Sequence, residues 1–215
     1  MENLTRLCIV RHGETDWNAE KRIQGHLDIS LNEAGFNQAH ATAEGLSHLH
    51  FRALYSSDLR RSWQTAEIVA SRLSIPLHPE PGLRERHSGV LEGRTVEELS
   101  VSHPDAHARF LDRDPDYPFG SGETMRVFSA RVVSSVEELI ANHVGETLLL
   151  VTHGGVLDVI FRRATGRSLD APRDYPMPNA GINWFEHHQG AWRLVAWAEQ
   201  FHLDPNRDSG SDHPE

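Results

Sequence analysis

Two apolar runs that each end in a histidine and a glycine constrain this chain most. Residues 7–13 read LCIVRHG and residues 148–154 read LLLVTHG. Runs of this length predict buried strands, and parallel strands present the residues that follow them at one edge of a sheet. We therefore expect an α/β fold with a mostly parallel sheet, in which His12 and His153 meet. The alternative is that each run is an ordinary strand followed by a polar turn.

The rest of the chain alternates helices and strands. Asn32 is expected to cap a helix whose apolar face includes Phe36, and a short strand at 53–55 leads into a helix that Ser57 or Asp58 caps. Further elements are expected as helices from about 96, from 124 to 143 and from 156 to 163, and as an antiparallel hairpin at the sheet edge over 182–186 and 192–197.

Composition narrows the classes of protein to which this chain can belong. The chain has 38% hydrophobic and 24% charged residues, which is typical of globular proteins. No apolar run approaches the roughly 20 residues that span a bilayer, and the N-terminus lacks the pattern of a signal peptide. We therefore expect a single domain over 1–203 with no membrane partner, a cytoplasmic location, and a disordered tail over 204–215.

The charge pattern argues against one partner class and favours another. The formal net charge of -10 disfavours nucleic acid as a partner. Lys21 is the only lysine among the 21 basic residues, so 20 are arginines, whose planar fork suits phosphate and carboxylate oxygens. Genome composition is the other source of such a bias. A small anionic ligand in an arginine-lined cleft remains compatible with the overall charge.

Arg60 and Arg61 stand in the first turn of the helix predicted after the second strand. Cations at a helix N-terminus oppose the macrodipole, so their placement there suggests a nearby anion. Two solvated surface arginines are the alternative. The glycine- and charge-rich stretch 84–93 is a candidate active-site loop or an ordinary exposed one, and 112–120 is a candidate lid or a plain surface connection.

Four sequence pieces together resemble the histidine phosphatase superfamily, in its phosphoglycerate mutase-like branch. They are the residues 11–15 (RHGET), 56–61 (SSDLRR) with Thr65 and Ala66, 85–87 (ERH) with Gly89, and 152–154 (THG). The resemblance covers about 5–185. It implies a three-layer αβα fold with a mostly parallel central sheet and an antiparallel edge, and an inserted cap or lid region at about 86–122.

The resemblance also implies roles for individual residues. His12 is the nucleophile, Glu85 is the proton donor, and Arg11, Arg61 and His153 bind the phosphoryl group. The residues that help to line the phosphate pocket are Asn18, Gln24, Gly25 and Gly154. The resemblance implies no direct role in the site for Arg60.

A phosphohistidine splits the hydrolysis of an inert phosphomonoester into two easier steps. Arginines and a second imidazole can meet the charge on the transferring group, so no metal and no cofactor are expected. The span from Glu85 to His153 looks too short for the lysine-bearing insertion of the mutases. We therefore favour a phosphatase for a small phosphorylated metabolite such as a sugar phosphate, a phosphoglycerate or a nucleoside-like phosphate.

Two alternatives stay open, a 2,3-bisphosphoglycerate-dependent phosphoglycerate mutase and a non-catalytic phosphate-binding scaffold. Retention of Glu85 argues against the scaffold, because binding alone needs no proton donor. Arg86, Arg109 and Arg113 either grip a second acidic group on the substrate or are solvated. The sequence leaves the number of subunits open, a homodimer included.

Overall fold

A computed structural model describes residues 3–204, and these form helices on both faces of a six-stranded sheet. The strands are β1 (Thr5–Arg11), β2 (Leu54–Ser56), β3 (Leu77–Pro79), β4 (Thr147–Thr152), β5 (Ile182–His188) and β6 (Ala191–Glu199). Their order is β3-β2-β4-β1-β5-β6. The pairs β3–β2, β2–β4 and β4–β1 are parallel, whereas β1–β5 and β5–β6 are antiparallel. The expected αβα fold with an antiparallel edge is confirmed. Of the predicted tail, 205–215 lies outside the described residues.

Seven α-helices lie within the described part of the chain. They are α1 (Asp16–Ala19), α2 (Glu33–Gly45), α3 (Arg60–Leu73), α4 (Val96–Ser102), α5 (Pro104–Asp112), α6 (Met125–Asn142) and α7 (Gly154–Thr165). None of these helices is long and apolar enough to cross a membrane.

Alternation along β1 divides the core between the two faces of the sheet. Leu7 and Ile9 belong to a buried cluster with residues of α6 and α7, whereas Cys8 and Val10 belong to one with residues of α2 and α3. Successive side chains of a strand point to opposite faces, so a strand covered on both sides is apolar throughout. This explains why the first run has no polar member before Arg11.

The register of the two central strands brings the histidines together. β1 and β4 are parallel neighbours, and Arg11 is paired with Thr152 at their carboxyl ends. The next residues, His12 and His153, therefore leave the sheet side by side, and the amide of His12 donates to the carbonyl of Thr152 at 2.9 Å.

The local sequence predictions hold in part. Asn32 caps α2 as expected, since its side chain accepts from the amide of Gly35 at 2.8 Å, but Phe36 is 38% exposed and outside the core. The predicted side-chain cap of α3 is wrong. Leu59 is its N-cap residue and has no polar side chain to accept a hydrogen bond. Asp58 pairs with Arg84, and Ser57 Oγ accepts from the amide of Leu59, ahead of the helix.

A third buried cluster lies within the segment 86–122. It contains Leu91, Leu99 and Phe119, with Phe110 and Tyr117 packed against them. The chain around this cluster includes α4 and α5 and the irregular stretch 113–124. Leu91 and Phe110 also line a cavity that His12 lines, so this segment forms one wall of that cavity.

Candidate active site

A cavity of about 280 Å³ opens at the carboxyl end of β1. Seven of the predicted site residues line it, namely Arg11, His12, Asn18, Gln24, Gly25, Arg61 and Glu85. His153 and Gly154 are not among the residues that line it. The ring of His153 is wholly buried behind that of His12, with the two ring centroids 5.1 Å apart.

His12 is held in a form that suits nucleophilic attack. Its Nδ1 lies 2.7 Å from the carbonyl oxygen of Gly13, and a carbonyl can only accept, so Nδ1 carries the ring proton. Burial lowers the pKa of His12 well below its ordinary value, and the charges of Arg61 and Arg11 lower it further. The imidazole is therefore neutral, with its lone pair on Nε2.

Ser57 orients the second histidine. Its Oγ lies 2.7 Å from His153 Nε2 and also accepts from the amide of Leu59 at 3.3 Å. This arrangement favours donation of the serine hydrogen to Nε2 and leaves the ring proton of His153 on Nδ1. Burial, Arg61 and His12 lower the pKa of His153 well below the ordinary value, so this ring is also neutral.

Arg61 is fixed by main-chain carbonyls. It lies in the first turn of α3 and is 1% exposed; Nη1 donates to Leu27 O at 3.0 Å and Nη2 to Gly25 O at 2.8 Å. Arg11 donates through Nη1 to the carbonyl of Met177. Burial lowers the pKa of each guanidinium to about 10, so both are charged at neutral pH.

Three nitrogens of this cluster are buried without a hydrogen-bond partner in the described part of the chain. They are Arg11 Nε, Arg61 Nε and His153 Nδ1. A buried donor left unpaired costs roughly 1–3 kcal/mol, so native proteins rarely tolerate several together without a reason. An anion bound beside His12 would accept from these donors and offset the repulsion between the two guanidinium charges.

Glu85 is held by two main-chain amides in the wall of the same cavity. Its Oε1 accepts from the amide of Arg86 at 2.8 Å, and its Oε2 accepts from that of Gly155 at 3.0 Å. Its carbonyl oxygen accepts from His26 Nε2 at 2.7 Å and from Arg131 Nη2 at 3.2 Å. Side chain and backbone are thus both fixed, which gives the carboxyl group a defined position.

The side chains of Asn18 and Asn179 hold the loop after β1 in place through hydrogen bonds. The Oδ1 of Asn18 accepts from the amide and hydroxyl of Thr15 at 3.1 and 3.0 Å, which closes the cap of α1. Asn179 Nδ2 donates to the same Oδ1 at 3.2 Å and to the carbonyl of His12 at 3.0 Å. The sequence predicted Asn18 but not Asn179, because no local motif marks a residue that acts 167 positions from its partner.

The cavity has further lining residues that sequence reasoning did not assign to it. They are Arg22, Ile23, Ser88, Leu91, Phe110, Met125, Phe128, Gly155 and Arg173. The sequence left Arg86, Arg109 and Arg113 between two roles. Arg86 lines this cavity and an adjoining one, whereas the other two line only the adjoining one. Arg60 is exposed and does not line the site. Within residues 3–204, no group of three or more His, Cys, Asp or Glu side chains converges as a metal site.

Comparison with known proteins agrees with this geometry. The family model for the histidine phosphatase superfamily (branch 1) matches residues 7–200. The chain belongs to this superfamily. The expected family is therefore confirmed, and the four motif pieces of this histidine phosphatase lie at or beside the cavity.

Three similar proteins place this histidine phosphatase among its relatives. It is 36% identical over 203 residues to phosphoglycerate mutase-like protein 4 of Arabidopsis thaliana, covering 92% of this chain and 86% of that one. It is 37% identical over 203 residues to the metal-independent phosphoserine phosphatase of the same plant, covering 93% and 84%. The structure of Bacillus stearothermophilus YhfR superposes with a TM-score of 0.87 at 32% identity, covering 93% and 100%.

Proposed function

We propose that this chain is a phosphomonoesterase that hydrolyses a small phosphorylated metabolite through a phosphoryl group carried on His12. The observation that supports this most is the state of His12, a neutral imidazole whose Nδ1 proton is held by the Gly13 carbonyl, beside the buried Arg61 and the partly buried Arg11. A relative 37% identical is named a metal-independent phosphoserine phosphatase, which agrees with the same reaction class.

In the first step, Arg11 and Arg61, which line the cavity, bind the phosphoryl oxygens while His12 Nε2 attacks phosphorus. His153, which lies against the ring of His12, donates to the same group through its unpartnered Nδ1. The bond from phosphorus to the substrate oxygen breaks as the P–N bond forms. Glu85, in its acid form, gives its proton to the departing oxygen, and the alcohol leaves. The negative charge on the transferring group spreads over three oxygens. The guanidinium and imidazole donors are already fixed in position, so they stabilise this charge without reorganising.

In the second step, a water molecule attacks the phosphorus of phosphohistidine. Glu85, now a carboxylate, takes a proton from that water as the P–N bond breaks. Inorganic phosphate leaves, and His12 returns to its neutral form with the Nδ1 proton retained. One carboxyl group thus serves as acid and then as base, which requires the fixed position that the amides of Arg86 and Gly155 give it.

We further propose that residues 86–122 act as the cap of this site. Leu91 and Phe110 come from this segment and line the cavity. The segment also contains a small apolar cluster, against which Ile23 from the loop after α1 packs. Hydrolysis requires that water reaches the phosphohistidine, whereas a mutase must exclude it. A short cap without a lysine-bearing insertion supports the hydrolase.

Phosphoenzyme trapping with para-nitrophenyl phosphate tests the proposal. We expect phosphate release together with an acid-labile, base-stable phosphoenzyme, and we expect His12→Ala to lose both. His40→Ala changes an exposed histidine of α2 and serves as the matched control, with unchanged turnover. Unchanged turnover in His12→Ala would overturn the mechanism.

A parallel incubation with 3-phosphoglycerate and catalytic 2,3-bisphosphoglycerate separates the remaining alternatives. Isomerisation faster than phosphate release would assign the chain as a mutase. A protein that binds phosphomonoesters but forms no phosphoenzyme with any of them would be a scaffold.

A further inference from the structure

A second cavity of about 200 Å³ adjoins the catalytic one. Arg86, Phe110, Met125 and Arg173 line both cavities, so these residues form the junction between the two. The second cavity is rich in arginine, with a lining that includes Arg86, Arg109, Arg113, Arg162 and Arg173.

Two carboxylates line this cavity against the five arginines and offset only part of their charge; one is Asp114 and the other is Asp158. Asp158 is buried on α7, where it pairs with Arg162 at 3.1 Å, and both side chains are 2% exposed. Arg162 also donates to the carbonyls of Ser168 and Ala171, so its guanidinium group is already hydrogen-bonded within the protein. The single carboxylate of Asp158 therefore balances Arg162 and leaves Arg173 without a full counter-charge.

Arg173 is held at the junction of the two cavities by the same carboxylate. Its Nε lies 3.3 Å from Asp158 Oδ1, and the side chain remains 41% exposed. Tyr175 also donates to Asp158, which fixes the orientation of the carboxylate. The positive charge of Arg173 contributes to lowering the pKa of Arg11, so its field reaches the catalytic cluster.

Arg86 stands at the same junction. Its Nε donates to the carbonyl of Glu123 at 2.8 Å, and its guanidinium lies 5.4 Å from the centre of the Phe119 ring. Its Nη2 is buried and has no hydrogen-bond partner among residues 3–204. An arginine in this position is pre-organised to bind an acidic group through a charge-assisted hydrogen bond.

We propose that Arg86 and Arg173 form a second anion subsite that selects phosphomonoesters with an additional acidic group, and that Asp158 is the positioning residue for Arg173. The reacting phosphoryl group lies at His12, and the second acidic group of the substrate reaches the junction. This inference rests on the proposed function for the identity of the ligand. The adjoining cavity accommodates further atoms of the substrate beyond that acidic group.

Three ligands with one glycerol skeleton test this selection. Glycerol 3-phosphate is the reference, 3-phosphoglycerate replaces its terminal CH₂OH with a carboxylate, and glycerol 1,3-bisphosphate adds a second phosphate. Each is measured as a competitor of para-nitrophenyl phosphate hydrolysis. We expect at least one of the doubly acidic ligands to bind about tenfold or more tightly than the reference, as one charge-assisted hydrogen bond implies. The ligand that binds more tightly than the reference identifies the acidic group that the subsite prefers.

Variants identify the residues that cause the preference for doubly acidic ligands. Arg173→Gln and Arg86→Gln should each bring the ratio of inhibition constants close to one, and Arg173→Lys should retain part of it. Asp158→Asn should weaken the doubly acidic ligand more than the reference, whereas a purely structural role would weaken both alike. Arg72→Gln, on α3 and paired with Glu44 at 2.9 Å, is the matched control and should keep the wild-type ratio.

The failure of this inference differs from a failure of the proposed function. If para-nitrophenyl phosphate is hydrolysed and the three ligands bind equally, the second subsite is wrong and the phosphatase stands. If no phosphomonoester is hydrolysed, titration calorimetry with the same ligands measures the selection directly. Equal affinities there would overturn the subsite, and a preference that Arg173→Gln removes would support it.

Discussion

The amide of Gly155 donates to Glu85 Oε2 at 3.0 Å, which joins the first turn of α7 to the carboxyl group opposite His12. A Cβ on Gly155 would lie 2.0 Å from Glu85 Oε1, much closer than any real contact. The glycine after the THG motif is therefore required by the position of a side chain 70 residues away.

Gly155→Ala should displace the carboxyl group and lower kcat by about 100-fold, the cost typical of a misplaced catalytic group. Helix α7 should remain folded, because alanine has the higher helix propensity. Gly154→Ala is the matched comparison, since its Cβ would meet Arg11 Nε at an ordinary 3.7 Å, and it should lose much less activity. Equal losses in the two variants would contradict this account. Steady-state kinetics and circular dichroism supply the measurements.

Ser57→Ala should slow turnover by about tenfold to a hundredfold, since it removes the hydrogen bond that orients the ring of His153. The buried Nε2 would then lack a partner, and the ring would be free to rotate away from the phosphoryl group. The rate of phosphoenzyme formation, measured by rapid quench, is the sensitive readout. Ser47→Ala alters a partly exposed serine outside the cavity and should leave that rate unchanged. A wild-type rate in Ser57→Ala would show that the serine has no orienting role.

The lowered pKa values of His12 and His153 make stability depend on pH in a definite direction. Both rings are neutral when folded, whereas in the unfolded chain they protonate near their ordinary pKa of about 6.5. Below that pH the unfolded state binds more protons, so the free energy of unfolding falls as the pH falls. The two groups contribute a slope of up to about 2.7 kcal/mol per pH unit, and none well above pH 6.5.

Urea denaturation between about pH 5 and 6 measures this slope. His153→Asn removes one of the two groups and should reduce the slope by up to about 1.4 kcal/mol per pH unit. His40→Asn, on the exposed face of α2, should reproduce the wild-type slope. A slope that His153→Asn leaves unchanged would mean that this histidine does not contribute to the pH dependence.

The fold and much of the site could be predicted because their signals are local. Two apolar runs that each end in histidine place His12 and His153 together as soon as their strands are parallel neighbours. The residues missed by sequence reasoning act over long separations. Arg173 reaches the cavity through its contact with Asp158, and Asn179 through hydrogen bonds to the loop after β1, and neither contact has a sequence pattern.

The errors in local structure have different origins. Asp58 has the chemistry of a helix cap, but its ion pair with Arg84 outweighs that preference. The strand β3 went unpredicted because it is three residues long and ends in Pro79, a residue that strands accept at an edge. A tertiary contact thus overrode the local signal at Asp58, whereas β3 is too short to give a local signal of its own.

Arg60 and Arg61 provide the sharpest test of the site, because two adjacent arginines have opposite environments. Arg60 is exposed, whereas Arg61 is buried and donates to the carbonyls of Gly25 and Leu27. Arg61→Lys keeps the charge but cannot reproduce both hydrogen bonds, so the carbonyls of the loop at 24–27 lose a partner. We expect kcat/KM to fall by about 100-fold and the free energy of unfolding by about 2 kcal/mol.

Arg60→Lys is the internal control and should change neither quantity, since its side chain does not line the cavity. The two variants have the same composition and net charge, so any difference between them comes from position alone. If Arg61→Lys and Arg60→Lys behave alike, the carbonyl contacts of Arg61 do not organise the phosphate site. If only Arg61→Lys loses stability while both keep full activity, Arg61 holds the loop at 24–27 but does not bind the phosphoryl group.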